Sequence, residues 1–493
     1  MKKTLIITMI LFLLPEILFS SQYHHIGRNA YVYRNYAKAK ENFLKDVEIS
    51  GSGDSYYFLG EIEKNEKNYD LAIQYFAAAV SRNTSRKFLI NSYWNLIILY
   101  EERGDYPNYI KYCREFWFKT RDSSARQKID TLINKLLWSD NEEAVKKYNE
   151  GVALLKKGDT NNASQSFRDA INIDSMFLSP KFELGMIAYK ANNNSDTMYY
   201  LAPIAERIPF YAEVQLIIGN INFNSKNYTS AITNFSSVLE YGFADKETEY
   251  NTMLKRGTCY YHTGDYENAE KDISSASESV KGNNEPLVIL AAIYIKKKEL
   301  DSALKILQKA EAITANDPVV LFQTGSIYFY RNDDKYAPYF DRLHDIVKEN
   351  DTEYKKYSKA FKLLMTYHYN KKNFTRSLEI SNRLLSGGND YEIIITSARS
   401  SHHLGQHEEA ITSFKKISLQ NSSDKILLAG SYAATGRKEH AMEILKNLQY
   451  DQNALSEAKN NNHLLPLIKE VEKEAEQKRK EQQNRTVTPV TQP

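Results

Sequence analysis

This 493-residue chain has two cysteines, eleven prolines and almost no net charge. Two cysteines are too few for a disulfide scaffold or a four-cysteine zinc site. Lys+Arg 65 against Asp+Glu 62 gives a formal charge of +3, and two of the lysines, Lys2 and Lys3, belong to a basic start. The bulk basic excess of a nucleic-acid binder is therefore missing, and so is the acidity of a disordered tail. Beyond the first twenty residues no uncharged run approaches membrane length. There is no G-x-S-x-G, phosphate-binding loop or H-E-x-x-H, so neither an enzyme nor a resident cofactor or metal is expected. The chain does have 42% hydrophobic residues, ample for a core, and 36 tyrosines.

The first 21 residues are arranged in an order that matters. Met1–Lys3 is basic, Thr4–Leu14 (TLIITMILFLL) is apolar, and small residues follow at Ser20 and Ser21. Export signals use this order, because a short apolar helix must enter the translocon. The run is too short to span a bilayer comfortably and Glu16 interrupts it. Residues 1–21 are thus expected to be a signal peptide. The periplasm is the expected compartment; secretion, or anchoring to the inner membrane by an uncleaved signal, is the alternative.

From residue 54 onward the chain repeats itself. DSYYFLGEIEKNEKNYDLAIQYFAAAV places Gly60 twelve residues before Ala72, with Phe76 and Ala79 after it. The same grammar recurs at Gly151, Ala163, Phe167 and Ala170, and again at Gly257, Gly264, Tyr266, Ala269 and Ala276. The pattern resembles the tetratricopeptide repeat, a 34-residue helix–turn–helix unit with small residues at positions 8, 20 and 27 and bulky ones at 11, 17 and 24. Twelve registers fit between residues 27 and 450, and position 8 is Gly or Ala in ten of them. Position 20 is alanine in nine, from Ala39 to Ala441, with Thr197 and Ser377 also small and Tyr109 the exception. Gly104, Gly158, Gly264, Gly405 and Gly436 fall at the turn, position 15. Small residues let two antiparallel helices cross closely, and glycine permits the left-handed residue that ends the first helix. Acidic residues after the turn, as in Gly104-Asp105, suit the start of the second helix.

The resemblance implies an all-α solenoid of helix pairs in which each unit is stable only when stacked on its neighbours. The expected division is a signal at 1–21, N-terminal repeats at 22–120, an inserted helix and candidate hinge at 121–140, the main superhelix at 141–450, one capping helix at 451–483 and a disordered tail at 484–493. His24 and His25 would lie in a floppy start.

In this family the first helix of each unit lines a concave groove. The resemblance points position 12 into it, where the chain has Tyr189, Phe223, Tyr261, Ile295, Phe329, Tyr369 and His402 in seven consecutive units. Their position-9 neighbours include Asn220, Thr258 and Ser326. Aromatics beside small polar groups suit an extended peptide or docked helix. The candidate groove residues are therefore Tyr189, Phe223, Tyr261, Phe329, Tyr369, Asn220, Thr258 and Ser326. Asn220 and Lys255 match two places of a carboxylate clamp known in the family, but Leu216 and Asn251 break it. His402, His403 and His407 form the densest histidine cluster, with His407 at packing position 17. The expected role is a non-catalytic exported scaffold for a protein or peptide partner, with no nucleic acid, and membrane association only through an uncleaved N-terminus. The alternative is a binder of an extended envelope polymer such as peptidoglycan or an exported polysaccharide.

Overall fold

A computed structural model describes residues 22–242, 245–279, 282–449 and 451–486. The expected signal at 1–21 and the last residues of the expected tail, 487–493, lie outside the described residues. Among those described, every regular element is a helix, and consecutive helices pack as antiparallel pairs.

The close crossing is set by the glycines. A Cβ built on Gly60 would lie 2.6 Å from the Phe76 ring, and on Gly219 2.8 Å from the Phe235 ring. Gly27, Gly151 and Gly185 meet Phe43, Phe167 and Leu201 in the same way. Each glycine is thus the socket for a bulky residue sixteen positions later on the second helix. All twelve position-20 residues, Tyr109 included, are at most 1% exposed. Gly151 gives a direct test, because its Cβ would also approach Ala163 O at 3.1 Å. In an open helix Gly→Ala gains roughly 0.5–1 kcal/mol. Gly151→Ala is instead expected to cost about 1–3 kcal/mol through overpacking, and a melting temperature that rises would refute the socket.

The turns obey one backbone rule with varied residues. Position 15 is left-handed in all twelve units, at Gly104, Gly158, Gly264, Gly405 and Gly436 and equally at Arg34, Lys67, Asn192, Lys226, Lys298, Asn332 and Lys372. The three Gly-Asp turns add a reciprocal cap. Asp105, Asp159 and Asp265 each accept from the backbone N–H of Asn108, Asn162 and Asn268 at 3.2 Å, and each asparagine amide donates back to the same carboxylate at 2.7–2.8 Å. These caps satisfy N–H groups that the first helical turn leaves unpaired.

The chain divides into two compact units, ending and beginning at residues 281 and 282. The expected single superhelix over 141–450 is thereby split, and the split falls in the SVKGNNE stretch, where Gly282 is left-handed.

In the first unit the inserted helix is Ser124–Leu137. It is no hinge in this structure. Its apolar face, Ala125, Ile129, Leu132, Ile133 and Leu137, is buried in one continuous core with Tyr109, Cys113 and Phe116 before it and Ile208, Phe210 and Val214 after it. The helix Tyr106–Thr120 packs back against Tyr228–Tyr241, and the Arg114 Nε–H donates to Gly242 O at 2.8 Å. The insertion is therefore a brace that folds the third repeat onto the fifth and sixth. His24 is not floppy either: residues 22–32 are helical, and its ring packs 5.8 Å from Phe43 and 6.0 Å from Phe58.

In the second unit a short helix, Asp351–Lys356, lies between the ninth and tenth repeats. The expected single capping helix at 451–483 is two helices, Gln452–Ala458 and Leu465–Thr486. The run Asn460–Asn462 breaks the first, and Pro466 suits the first turn of the second. The second helix carries regular backbone three residues into the expected tail. Leu464, Leu467, Ile468 and Val471 bury its start against the last repeat.

Candidate interaction surface

Position 12 sits on the last turn of each first helix, and its surroundings follow from that. In the first unit Tyr189 is 39% exposed, while Phe223 and Tyr261 are half-buried. In the second unit Phe329 is 41% exposed and Tyr369 is half-buried. Three of these rings pack on position 17 of their own repeat, Phe223 on Tyr228 at 6.3 Å, Tyr261 on Tyr266 at 6.0 Å and Tyr369 on Phe374 at 5.6 Å, while Phe329 packs on Tyr336, at position 19, at 5.3 Å. These contacts occupy part of each ring, and Phe223 and Tyr369 have further ring neighbours in Phe235 at 6.4 Å and His403 at 6.2 Å. A second contact crosses between units of the array. His262 stacks on Tyr228 at 4.5 Å, and His403 stacks on Phe374 at 4.3 Å.

The polar neighbours differ in how far their hydrogen-bonding capacity is spent. Thr258 donates its hydroxyl to Leu254 O on its own helix at 2.7 Å. Asn220 Oδ1 accepts from Lys255 Nζ at 2.7 Å, and the same ammonium lies 6.0 Å from the Phe223 ring. Burial holds the Lys255 ammonium below the usual lysine range. No carboxylate pairs with it among the described residues. Three other half-buried cations have carboxylate partners: Arg256 with Asp272 at 2.7 Å, Lys362 with Asp390 at 2.7 Å and Arg399 with Asp424 at 2.6 Å. In the second unit Ser326 is half-buried, three residues before Phe329.

Three other clusters could suggest chemistry. Ser55 Oγ lies 2.6 Å from His24 Nδ1 and 2.5 Å from Asp46 Oδ2. This imitates a nucleophile–base pair, but Ser55 is fully buried and gives its proton to the carboxylate. It ties the first helix to the next repeat. His344, Asp345 and Glu379 bring possible ligand atoms within 4.8 Å. Arg376 already binds both carboxylates at 2.9 and 2.8 Å, and Lys348 is 3.9 and 3.7 Å from them, so cations already occupy that charge. Cys113 and Cys259 are both buried and unpaired, and burial pushes each thiol up to about 12, which leaves them unreactive.

Antiparallel helix pairs with small-residue crossings, presenting aromatics on one face and holding no assembled catalytic group among the described residues, define a helical-repeat interaction scaffold. Residues 53–85 and 147–175 match the family model described as Tetratricopeptide repeat. The chain carries tetratricopeptide repeats there, and helix pairs built on the same residues recur through both units. Such repeats mediate protein–protein interactions, and their fold is typically a non-catalytic scaffold. No curated protein matches the chain. Among solved structures it is similar to a tetratricopeptide repeat protein from Parabacteroides merdae at 17% identity, covering 53% of this chain and 96% of that one with a TM-score of 0.31. It is also similar to YrrB, a repeat protein with an unusual peptide-binding site, at 16% identity, 40% and 99% coverage and a TM-score of 0.32. For yeast Tom70 the values are 13%, 96% and 98%, and 0.27. No helix among the described residues is long and apolar enough to cross a membrane.

Proposed function

We propose that this chain is an exported, non-catalytic scaffold that docks an extended peptide or a helix of a protein partner along the first helices of its repeats. The observation that carries this reading is the Phe223–Asn220–Lys255 group. It combines a half-open aromatic face, a hydrogen-bonding amide and a desolvated cation with no carboxylate of its own. Aromatic faces supply contact area at low entropic cost, and polar groups beside them fix the register of a bound chain. The order of residues 1–21 supports export, and a periplasmic role in envelope assembly or secretion agrees with it.

Crosslinking with mass spectrometry in intact cells would identify the partner and the compartment together. The double variant Phe223→Ala, Tyr261→Ala and the single variant Lys255→Glu are each expected to lose that partner at least tenfold while keeping a helical circular-dichroism spectrum. Recovery of the same partner at the same yield with both variants would sink the groove assignment. An extended glycan is the second reading, favoured by Phe329 and the adjacent Tyr330, which are 41% and 75% exposed. Sedimentation with purified cell-wall material would separate it from the first.

A further inference from the structure

The histidines of the second unit form a larger group than the sequence order suggests. His402 and His407 lie on either side of the turn in the eleventh repeat, in helices Tyr391–His403 and His407–Phe414. His463 comes from the loop between the two terminal helices, yet its ring lies 6.4 Å from that of His407. The His402 and His407 rings are 5.3 Å apart, with planes inclined by 66°. Two imidazoles on one tetrahedral zinc ion, with Zn–N of about 2.0–2.1 Å, have their ring centres roughly 5 Å apart.

The loop is held where it is. Asn461 Oδ1 accepts from the His463 backbone N–H at 2.9 Å. Residue 430 is glycine because a Cβ there would lie 2.6 Å from Asn461 Nδ2 and 3.1 Å from His402 Cε1. The loop and His402 therefore converge over the same turn of helix Ser422–Ala434.

The hydrogen-bond pattern suits a metal. The Ser431 hydroxyl donates to Leu427 O at 3.0 Å, so at 2.8 Å from it His402 Nδ1 is the donor and Nε2 is left as a lone pair. A hydrogen bond from the ring nitrogen that does not face the ion fixes the tautomer of metal-bound histidines. His407 Nδ1 is buried with no hydrogen-bond partner. Neighbouring groups are otherwise engaged: His403 stacks on Phe374, and Glu408 pairs with Arg437 at 2.9 Å. His463 is exposed, and as they stand the three rings do not bring ligand atoms within 4.8 Å of one another, so its imidazole has to turn toward the other two to complete the site.

We propose that His402, His407 and His463 bind one divalent zinc-like transition-metal ion, which pins the C-terminal cap to the eleventh repeat. Imidazole is the ligand type that zinc, copper and nickel share, and three such ligands leave a fourth position for water.

The test uses tag-free, chelator-treated full chain at pH 7.5. Isothermal titration with Zn2+ is expected to give one site per chain, and Co2+ is expected to give the visible absorption bands of a tetrahedral nitrogen site. His463→Ala and His407→Ala should each weaken Zn2+ at least tenfold, and His262→Ala should not. Zinc should raise the melting temperature of the wild type but not of His463→Ala. Because His463 is exposed, its truncation leaves the fold intact, and unchanged Zn2+ binding by that variant would overturn the proposal. Absence of stoichiometric binding by the wild type would do the same.

Discussion

Ala303→Glu is expected to abolish cooperative folding of the second unit's first repeats at 37 °C. Ala303 is fully buried, in a cluster with Ala291, Leu307, Ala310, Val320 and Ile327 that offers an incoming carboxylate no donor. Two costs add. Forcing extra methylenes into a packed crossing costs about 1–3 kcal/mol. Burying a polar group without a partner costs roughly another 1–3 kcal/mol, and more if it stays charged. The sum rivals the marginal stability of a domain, about 5–15 kcal/mol. The introduced carboxyl would be neutral more often in the folded state, so its folded pKa rises. The penalty is then full above that raised value and shrinks as pH falls toward the unfolded value of about 4.3. Urea melts at pH 7.5 and pH 5 should show the deficit narrowing.

Ala303→Ser is the informative contrast. Position 20 already carries Ser377, whose hydroxyl donates to Met365 O at 3.1 Å, and Thr197, whose hydroxyl donates to Asn193 O at 2.7 Å. A hydroxyl at this position can spend its proton on a backbone carbonyl, so Ser is expected to cost under about 1 kcal/mol. If Ala303→Glu melted like the wild type, the packing position assigned to residue 303 would be wrong.

The same contrast shows which features of this fold are visible in a sequence. Sockets and plugs are legible because they need a particular size: glycine at 60, 151 or 219 and a ring sixteen residues on leave few alternatives. The left-handed turn is only half legible. Glycine marks it at five units, but Lys67, Lys226, Lys298 and Lys372 adopt the same φ of about 60°, forced by the helices on either side. Contacts between distant segments leave no local mark at all. Nothing near Arg114 announces Gly242, and nothing near His407 announces His463, because each pairing depends on how far the chain turns in between. The position-12 aromatics are an intermediate case. Their spacing is plain, but only the structure shows that Phe223, Tyr261 and Tyr369 pack on position 17 and Phe329 on Tyr336, which leaves less of each ring for a partner.

Charge on the first helices of the repeats supplies the second large effect. Arg399 occupies position 9 of the eleventh repeat, where a groove cation would be expected to meet a ligand. Its guanidinium instead binds Asp424 through two bonds of 2.6 and 2.8 Å, and Asp424 is 1% exposed. The planar fork matches the carboxylate geometry, and the pairing holds the guanidinium above its usual range. Arg399→Ala would leave that carboxylate buried without its cation. Removing one partner of a buried pair costs about 3–5 kcal/mol. Arg399 is itself 28% exposed, so water can reach the vacated site and the lower end of that range is expected. Removing both charges is a different matter, because no uncompensated ion remains. The double variant Arg399→Gln, Asp424→Asn should recover most of the lost stability, and a double-mutant cycle in urea should show coupling well above 1 kcal/mol. The pair is thus a structural clasp between the eleventh and twelfth repeats, in contrast to Lys255. Lys255→Gln should cost little stability, since it has no carboxylate to strand. If Arg399→Ala proved as mild as Lys255→Gln, the two cations would be equally free to bind a ligand, and Lys255 would lose its claim as the anchoring charge of the groove.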